Sequence, residues 1–161
     1  MLKPHECIPG SIENAEPMTL VLPNTQYGER LLTFSAEGKK FALLLSGAAD
    51  HIFRFVECND SHAWRGLLVP NVAIELDADS LFNGDGYSPP LGSIVRRGAS
   101  LSLQTVALVN RFHHFGGLFD LLDGLPEGHP SVTVCFTKWQ IVLGEGQEKR
   151  VLHSVDVTPD S

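Results

Sequence analysis

The feature that most constrains the fold of this chain is an alternation of apolar and polar residues that restarts many times. It is seen in short blocks along the whole sequence, among them 30–34, 40–43, 51–55, 72–76, 100–104, 132–136 and 151–155. A period of two places successive side chains on opposite faces of a β-strand, so that one face is buried and the other meets water. The pattern therefore predicts a mainly β protein with antiparallel sheets, arranged as a sandwich or a barrel.

Breaks rich in glycine, proline and asparagine divide this pattern into strands. Glu37-Gly38 predicts a tight hairpin, because so short a link cannot make a parallel crossover. Pro70 predicts a bend within one strand, and Asp77 predicts the N-cap of a single helical turn. We expect strands at about 17–22, 29–35, 39–46, 51–57, 64–76, 93–97, 100–109, 131–143 and 150–157.

One segment carries helical spacing. Phe112, Phe115, Phe119 and Leu122 recur three or four residues apart, which predicts a helix near 112–123, although Gly116-Gly117 weakens it. At the other end of the chain, residues 1–16 are polar and interrupted by prolines, which indicates an irregular N-terminal arm. At 161 residues, the chain is expected to form a single globular domain over 1–161.

The charge balance limits the partners of this chain. Twelve Lys and Arg residues face nineteen Asp and Glu residues, for a formal net charge of −7. Nucleic-acid binding needs clustered cations, so no nucleic-acid partner is expected. The same charge favours a basic partner protein, although a solvated acidic surface also explains it.

The compartment is predicted from cysteines and apolar runs. The three cysteines Cys7, Cys58 and Cys135 cannot all pair within one chain, which fits a reducing compartment. The first residues lack the apolar core of a secretory signal, and the longest apolar run, Phe41–Leu45, is too short to span a membrane. We therefore expect a cytoplasmic protein with no membrane association.

The sequence contains no motif for a resident metal or cofactor. Cys58 and His62 could meet His113 or His114 only through the fold, and the spacing typical of zinc sites is missing. The acidic stretch from Asp77 fails the calcium-loop pattern, since Leu81 occupies the fifth position of that pattern. We expect no metal and no cofactor.

The candidate binding residues lie in loops and at strand ends. The loop from Asn83 to Pro90 contains Asp85 and Tyr87, and exposed loops on a rigid sheet often carry binding residues. Arg97 could pair with a carboxylate or phosphate, and His113 and His114 are polar candidates at a barrel mouth. The same residues are also explained by a loop that only connects two strands and by polar side chains that are exposed to solvent without a binding role.

The function that fits these patterns is a non-enzymatic cytosolic binding protein, such as an immunity-type or accessory factor that binds a basic partner protein. The alternative is a small-molecule-binding β-barrel, or an enzyme that acts at the mouth of such a barrel. A deep apolar cavity with convergent histidines would favour the alternative, and a flat or convex acidic patch with no cavity would favour protein binding.

Overall fold

A computed structural model describes residues 2–24, 28–36, 39–47, 52–57, 65–83, 89–97, 100–104, 118–120, 126–127 and 134–159. These residues form mainly β structure, and every strand pair in the described sheets is antiparallel, which confirms the predicted fold class. The chain divides into two compact units, Met1–Val72 and Ala73–Ser161. The single globular domain stays a prediction.

The first unit contains one six-stranded sheet. Its strand order is β1-β6-β2-β3-β4-β5. The predicted hairpin is confirmed, because Ala36 pairs with Lys39 across the β3–β4 turn. The strands are β1 (Ile8–Ser11), β2 (Leu20–Pro23), β3 (Arg30–Ala36), β4 (Lys39–Ser46), β5 (Phe55–Glu57) and β6 (Arg65–Val69).

One face of this sheet is covered by the N-terminal segment that follows β1. Ile12 and Ala15 are buried in a cluster with sheet residues Val21, Leu31, Ala42, Leu44 and Leu68. The Thr33 hydroxyl donates to the carbonyl oxygen of Glu16 at 2.6 Å, and Lys40 Nζ donates to that of Glu13 at 2.9 Å. Apolar burial and these hydrogen bonds together hold the segment on the sheet.

The N-terminal arm differs from its prediction as an irregular segment over 1–16. Ile8–Ser11 forms the edge strand β1, and Pro4–Glu6 and Ile12–Asn14 form single 3-10 turns. Pro9 and Gly10 interrupt any alternation within β1, so the sequence pattern does not show the strand. The segment is a strand because its backbone pairs with that of β6, with Gly10 opposite Gly66.

The second unit contains two sheets. A three-stranded sheet has the order β15-β14-β7, and a six-stranded sheet has the order β12-β11-β10-β9-β13-β8. The strands are β7 (Ala73–Leu76), β8 (Leu81–Asn83), β9 (Ile94–Arg97), β10 (Ser100–Gln104), β11 (Leu118–Asp120), β12 (Pro126–Glu127), β13 (Val134–Phe136), β14 (Lys138–Leu143) and β15 (Arg150–Asp156).

The helix predicted near 112–123 is wrong where the structure describes that segment. Leu118–Asp120 forms strand β11 and pairs with Ser102–Gln104 of β10. Phe119 has a high strand propensity, and backbone pairing with β10 outweighs the weak helical spacing. The other residues of 112–123 lie outside the described part of the chain.

The strand orders also decide between the predicted arrangements. Each of the three sheets has two different end strands, so none of them closes into a barrel over the described residues. Open antiparallel sheets are compatible with the sandwich alternative. Within the same residues, no helix is long and apolar enough to cross a membrane.

Candidate functional site

The five binding residues predicted from the sequence remain untested. Asp85, Tyr87, His113 and His114 lie outside the described residues. Arg97 ends strand β9, where it pairs with Ser100, and its side chain is outside the description. These assignments stay predictions.

The described part of the second unit has a corner where two neighbouring strands continue from one sheet into the other. β7 and β8 are joined by the turn Asp77–Ser80, and β13 and β14 are joined at Thr137. β7 pairs with β14, and β8 pairs with β13, so both connections bend at the same place. The strand predicted over 131–143 is therefore observed as two strands.

Side-chain hydrogen bonds hold this corner. The Ser80 hydroxyl donates to the carbonyl oxygen of Asp77 at 2.6 Å and accepts from the Lys138 N–H at 3.1 Å. Asp77 Oδ1 accepts from the Asp79 N–H at 3.0 Å, so the predicted N-cap is confirmed. The Val157 N–H donates to the Thr137 carbonyl at 2.8 Å, and this bond attaches the segment after β15 to the corner.

A surface cleft of about 480 Å³ lies at the corner, and we call it the corner cleft. The register explains its composition, because Gln140 pairs with both Glu75 and Ser154 and Lys138 pairs with Asp156. Its lining residues are Glu75, Leu76, Asp77, Ala78, Lys138, Trp139, Gln140, Ser154, Val155 and Asp156.

Trp139 is the large buried side chain of this cleft. It is only 2% exposed, and its indole Nε1 donates to the carbonyl oxygen of Gly92 at 2.6 Å. The neighbouring Lys138 and Gln140 point to the opposite, outer side of β14, as the alternation requires. The indole therefore anchors the strand while its neighbours present polar groups.

Glu75 is the most highly bonded carboxylate of the corner cleft. Lys149 Nζ donates to its two oxygens at 3.0 and 2.8 Å, and Gln140 Nε2 donates at 2.9 Å. β14 lies between β15 and β7, and Lys149 immediately precedes β15, so this ion pair joins the chain segments on the two sides of β14. The hydrogen bonds from Lys149 and then Gln140 lower the pKa of Glu75.

Asp156 and Asp77 accept hydrogen bonds from residues two positions further along the chain. Asp156 Oδ1 accepts from the Thr158 hydroxyl at 2.7 Å and the Thr158 N–H at 3.1 Å, and these bonds lower the pKa of Asp156. Lys138 Nζ lies 3.4 Å from Asp156 Oδ2. Asp77 has no ion pair within the described ranges. Two of the three carboxylates, Glu75 and Asp156, are thus paired with the ammonium groups of Lys149 and Lys138.

These residues limit the chemistry of the corner cleft. Its walls offer carboxylate, ammonium, amide, hydroxyl and indole groups, and its lining residues include neither histidine nor cysteine. Cys135, on β13, is 1% exposed, and burial raises the pKa of its thiol, which opposes nucleophilic reactivity. Across the residues that the structure describes, no group of three or more His, Cys, Asp or Glu is placed to hold a metal ion.

A second, smaller hollow lies on the first unit. It measures about 340 Å³ and is lined at the β1–β6 edge by Pro9, Gly10, Ser11, Asn14, Arg65 and Gly66. Arg65 is its one charged lining residue. The corner cleft therefore offers the greater density of charged and hydrogen-bonding groups.

We expect the carboxylates of the corner cleft to make stability depend on pH. Glu75 and Asp156 have lowered pKa values in the folded protein, so their contribution is complete above the ordinary carboxyl pKa of about 4 and is lost as pH falls below it. Thermal unfolding measured from pH 6 to pH 3 should show a falling Tm, with a shallower fall for Glu75→Gln.

The matched control for this pH dependence is Glu148→Gln. Glu148 is an exposed carboxylate of the neighbouring 3-10 turn Gly146–Glu148, with no ion pair among the described residues. This variant should keep the wild-type slope of Tm against pH. Equal slopes for Glu75→Gln and the wild type would contradict the role given to Glu75.

The comparisons with known proteins place this mainly β chain, with its polar corner cleft, in a family. A family model described as "Uncharacterised protein y4lG" matches residues 9–161, so the chain belongs to the y4lG family. It is 35% identical over 154 residues to "Uncharacterized protein y4lG" of Sinorhizobium fredii (strain NBRC 101917 / NGR234). That alignment covers 94% of this chain and 91% of the relative. No solved structure shows a significant match.

Proposed function

We propose that this protein is a non-enzymatic binding protein of the cytosol, and that its corner cleft holds a basic segment of a partner protein. The observation that carries the proposal is the charge of the cleft lining, where the three carboxylates of Glu75, Asp77 and Asp156 outnumber the one ammonium of Lys138. The formal net charge of −7 extends the same attraction over the whole chain.

The ionisation of the cleft carboxylates suits the binding of cations and opposes a role in general-acid catalysis. A lowered pKa keeps Glu75 and Asp156 charged near neutral pH, where a general acid would need a raised pKa. Charged carboxylates are hydrogen-bond acceptors for the ammonium of lysine and the guanidinium of arginine. An immunity-type or accessory factor that masks a basic protein fits this chemistry.

The alternative of a small-molecule-binding β-barrel has less support. The described strands belong to open sheets, and the corner cleft is polar and lies at the surface, whereas small-molecule pockets are mostly apolar and deep. The cytosolic assignment is supported by Cys7 and Cys135, which are both free thiols.

The test measures binding of a capped octapeptide, Lys-Ser-Ser-Ser-Lys-Ser-Ser-Ser, by calorimetry at low salt. The double variant Asp77→Asn with Asp156→Asn removes two charges but keeps the side-chain oxygens that accept from Asp79 and Thr158. We expect its affinity for the peptide to fall about tenfold, since exposed charge pairs contribute roughly 0.2–1 kcal/mol each. Added salt should weaken wild-type binding.

A second double variant separates the cleft from the overall charge. Glu145→Gln with Glu148→Gln removes the same two charges from exposed positions outside the cleft lining. This variant should bind the octapeptide within about twofold of the wild type, because separated surface charges are screened. Equal losses in both double variants, or no binding by the wild type, would refute the proposal.

A further inference from the structure

The outer side of the bent β13–β14 strand is one continuous stripe. Val134, Phe136, Lys138 and Gln140 are half-buried or exposed, whereas Cys135, Thr137 and Trp139 between them are buried. The alternation passes through the corner without a change of phase. The side chains of β13 therefore continue the surface on which the corner cleft lies.

The chemistry of this stripe changes at the corner. From Lys138 towards β13, the stripe becomes apolar. Phe136 pairs there with Leu81 of β8, and Leu81 is 53% exposed. On the other side of Phe136, Ile94 of β9 is fully buried, so the exposed apolar area of this row of three paired residues lies on β8 and β13. We call Leu81 and Phe136 together the apolar step.

We propose that the partner segment is amphipathic, with a basic residue in the corner cleft and an apolar residue on the apolar step. This inference rests on the proposed function and specifies the ligand of the same site. The basic residue of the partner is inferred from the negative charge of the corner cleft, and its apolar residue is inferred from the exposed Leu81 side chain. Contact with the apolar step removes apolar surface from water on both partners.

The strand geometry sets the spacing within the partner segment. Phe136 and Lys138 are two residues apart on the same side of the chain, which corresponds to at most about 7 Å because the chain bends at Thr137 between them. An extended peptide that lies along the stripe presents side chains on one side with the same period. The basic and apolar residues of the partner are therefore expected at positions i and i+2.

The experiment compares two capped octapeptides of equal charge. One is the lysine–serine octapeptide described above, and the other is Lys-Ser-Leu-Ser-Lys-Ser-Leu-Ser, with leucine two positions after each lysine. We expect the full-length wild-type protein to bind the leucine peptide about tenfold more tightly, from the apolar surface that each leucine buries. Equal affinity for the two peptides would overturn the inference.

Two variants locate this preference on the structure. Leu81→Ser should bring the two peptides to about the same affinity, and its exposed position keeps the substitution out of the core. Val151→Ser is the control, because Val151 is 50% exposed on β15 but lies outside the cleft lining. It should keep the tenfold preference, and thermal unfolding should show both variants folded.

The outcomes separate this inference from the proposed function. If both peptides bind equally and binding still requires Asp77 and Asp156, only the amphipathic partner is wrong. If the preference for leucine survives in Leu81→Ser, the apolar step is not the contact. If neither peptide binds, or neutralising the two aspartates has no effect, the proposed function fails and this inference fails with it.

Discussion

Gly66→Ala is expected to lower the free energy of unfolding by about 3 kcal/mol or more, because the added methyl group meets backbone atoms that cannot move freely. A Cβ at Gly66 would lie 2.1 Å from the carbonyl oxygen of Leu22 and 2.7 Å from Cα of Pro23. Gly66 pairs with Gly10 on one side and Pro23 on the other. Relief of the contact would separate β6 from β2. Urea unfolding followed by circular dichroism measures the loss.

Gly10→Ala is the matched control for this effect. Gly10 lies directly opposite Gly66, but a Cβ there would meet Cδ1 of Leu68, the end of a side chain and not backbone, at 2.9 Å. We expect a loss of about 1 kcal/mol, well below that of Gly66→Ala. If the two variants lose the same stability, the backbone contact at Leu22 is not the cause.

The strands that could be predicted from the sequence are those whose two faces differ or whose turns are well marked. The pattern predicts β4 over 39–46, and the structure has it at Lys39–Ser46, because its apolar run lies between clear turn residues. The cap at Asp77 was also predictable, since it depends on residues only two positions apart. Local chemistry determines both features.

The elements that the pattern missed depend on partners distant in sequence. β1 is a strand because β6 pairs with it, and Pro9-Gly10 carries no strand signal of its own. β11 contains Phe119 of the predicted helix, but its backbone pairs with β10. In both cases tertiary pairing outweighs local preference.

The corner cleft was not predictable for the same physical reason. Its central carboxylate, Glu75, meets Gln140 across 65 positions and Lys149 across 74 positions of sequence. Only the register of β7, β14 and β15 brings these side chains together. The sequence did contain one usable signal, the alternation of Lys138, Trp139 and Gln140, which predicts polar side chains on the outer face.

Trp139→Ala is expected to destabilise the protein by about 3–5 kcal/mol, the usual cost of removing a buried tryptophan side chain. The indole is among the largest fully buried side chains of the described core, and its N–H donates to the buried Gly92 carbonyl. Trp139→Phe keeps most of the apolar contact but leaves that carbonyl without its donor, so we expect a smaller loss of about 1–3 kcal/mol.

Urea unfolding of these two variants and of Lys138→Ala distinguishes packing from hydrogen bonding at the base of the corner cleft. Lys138 is adjacent and its side chain is 47% exposed, so its removal should change the free energy of unfolding by no more than about 0.5 kcal/mol. A Trp139→Phe variant as stable as the wild type would show that the bond to Gly92 contributes nothing. If the indole anchors β14, the loss of stability must be largest for Trp139→Ala, smaller for Trp139→Phe and smallest for Lys138→Ala. The outer groups of the cleft keep their positions only while that anchor holds.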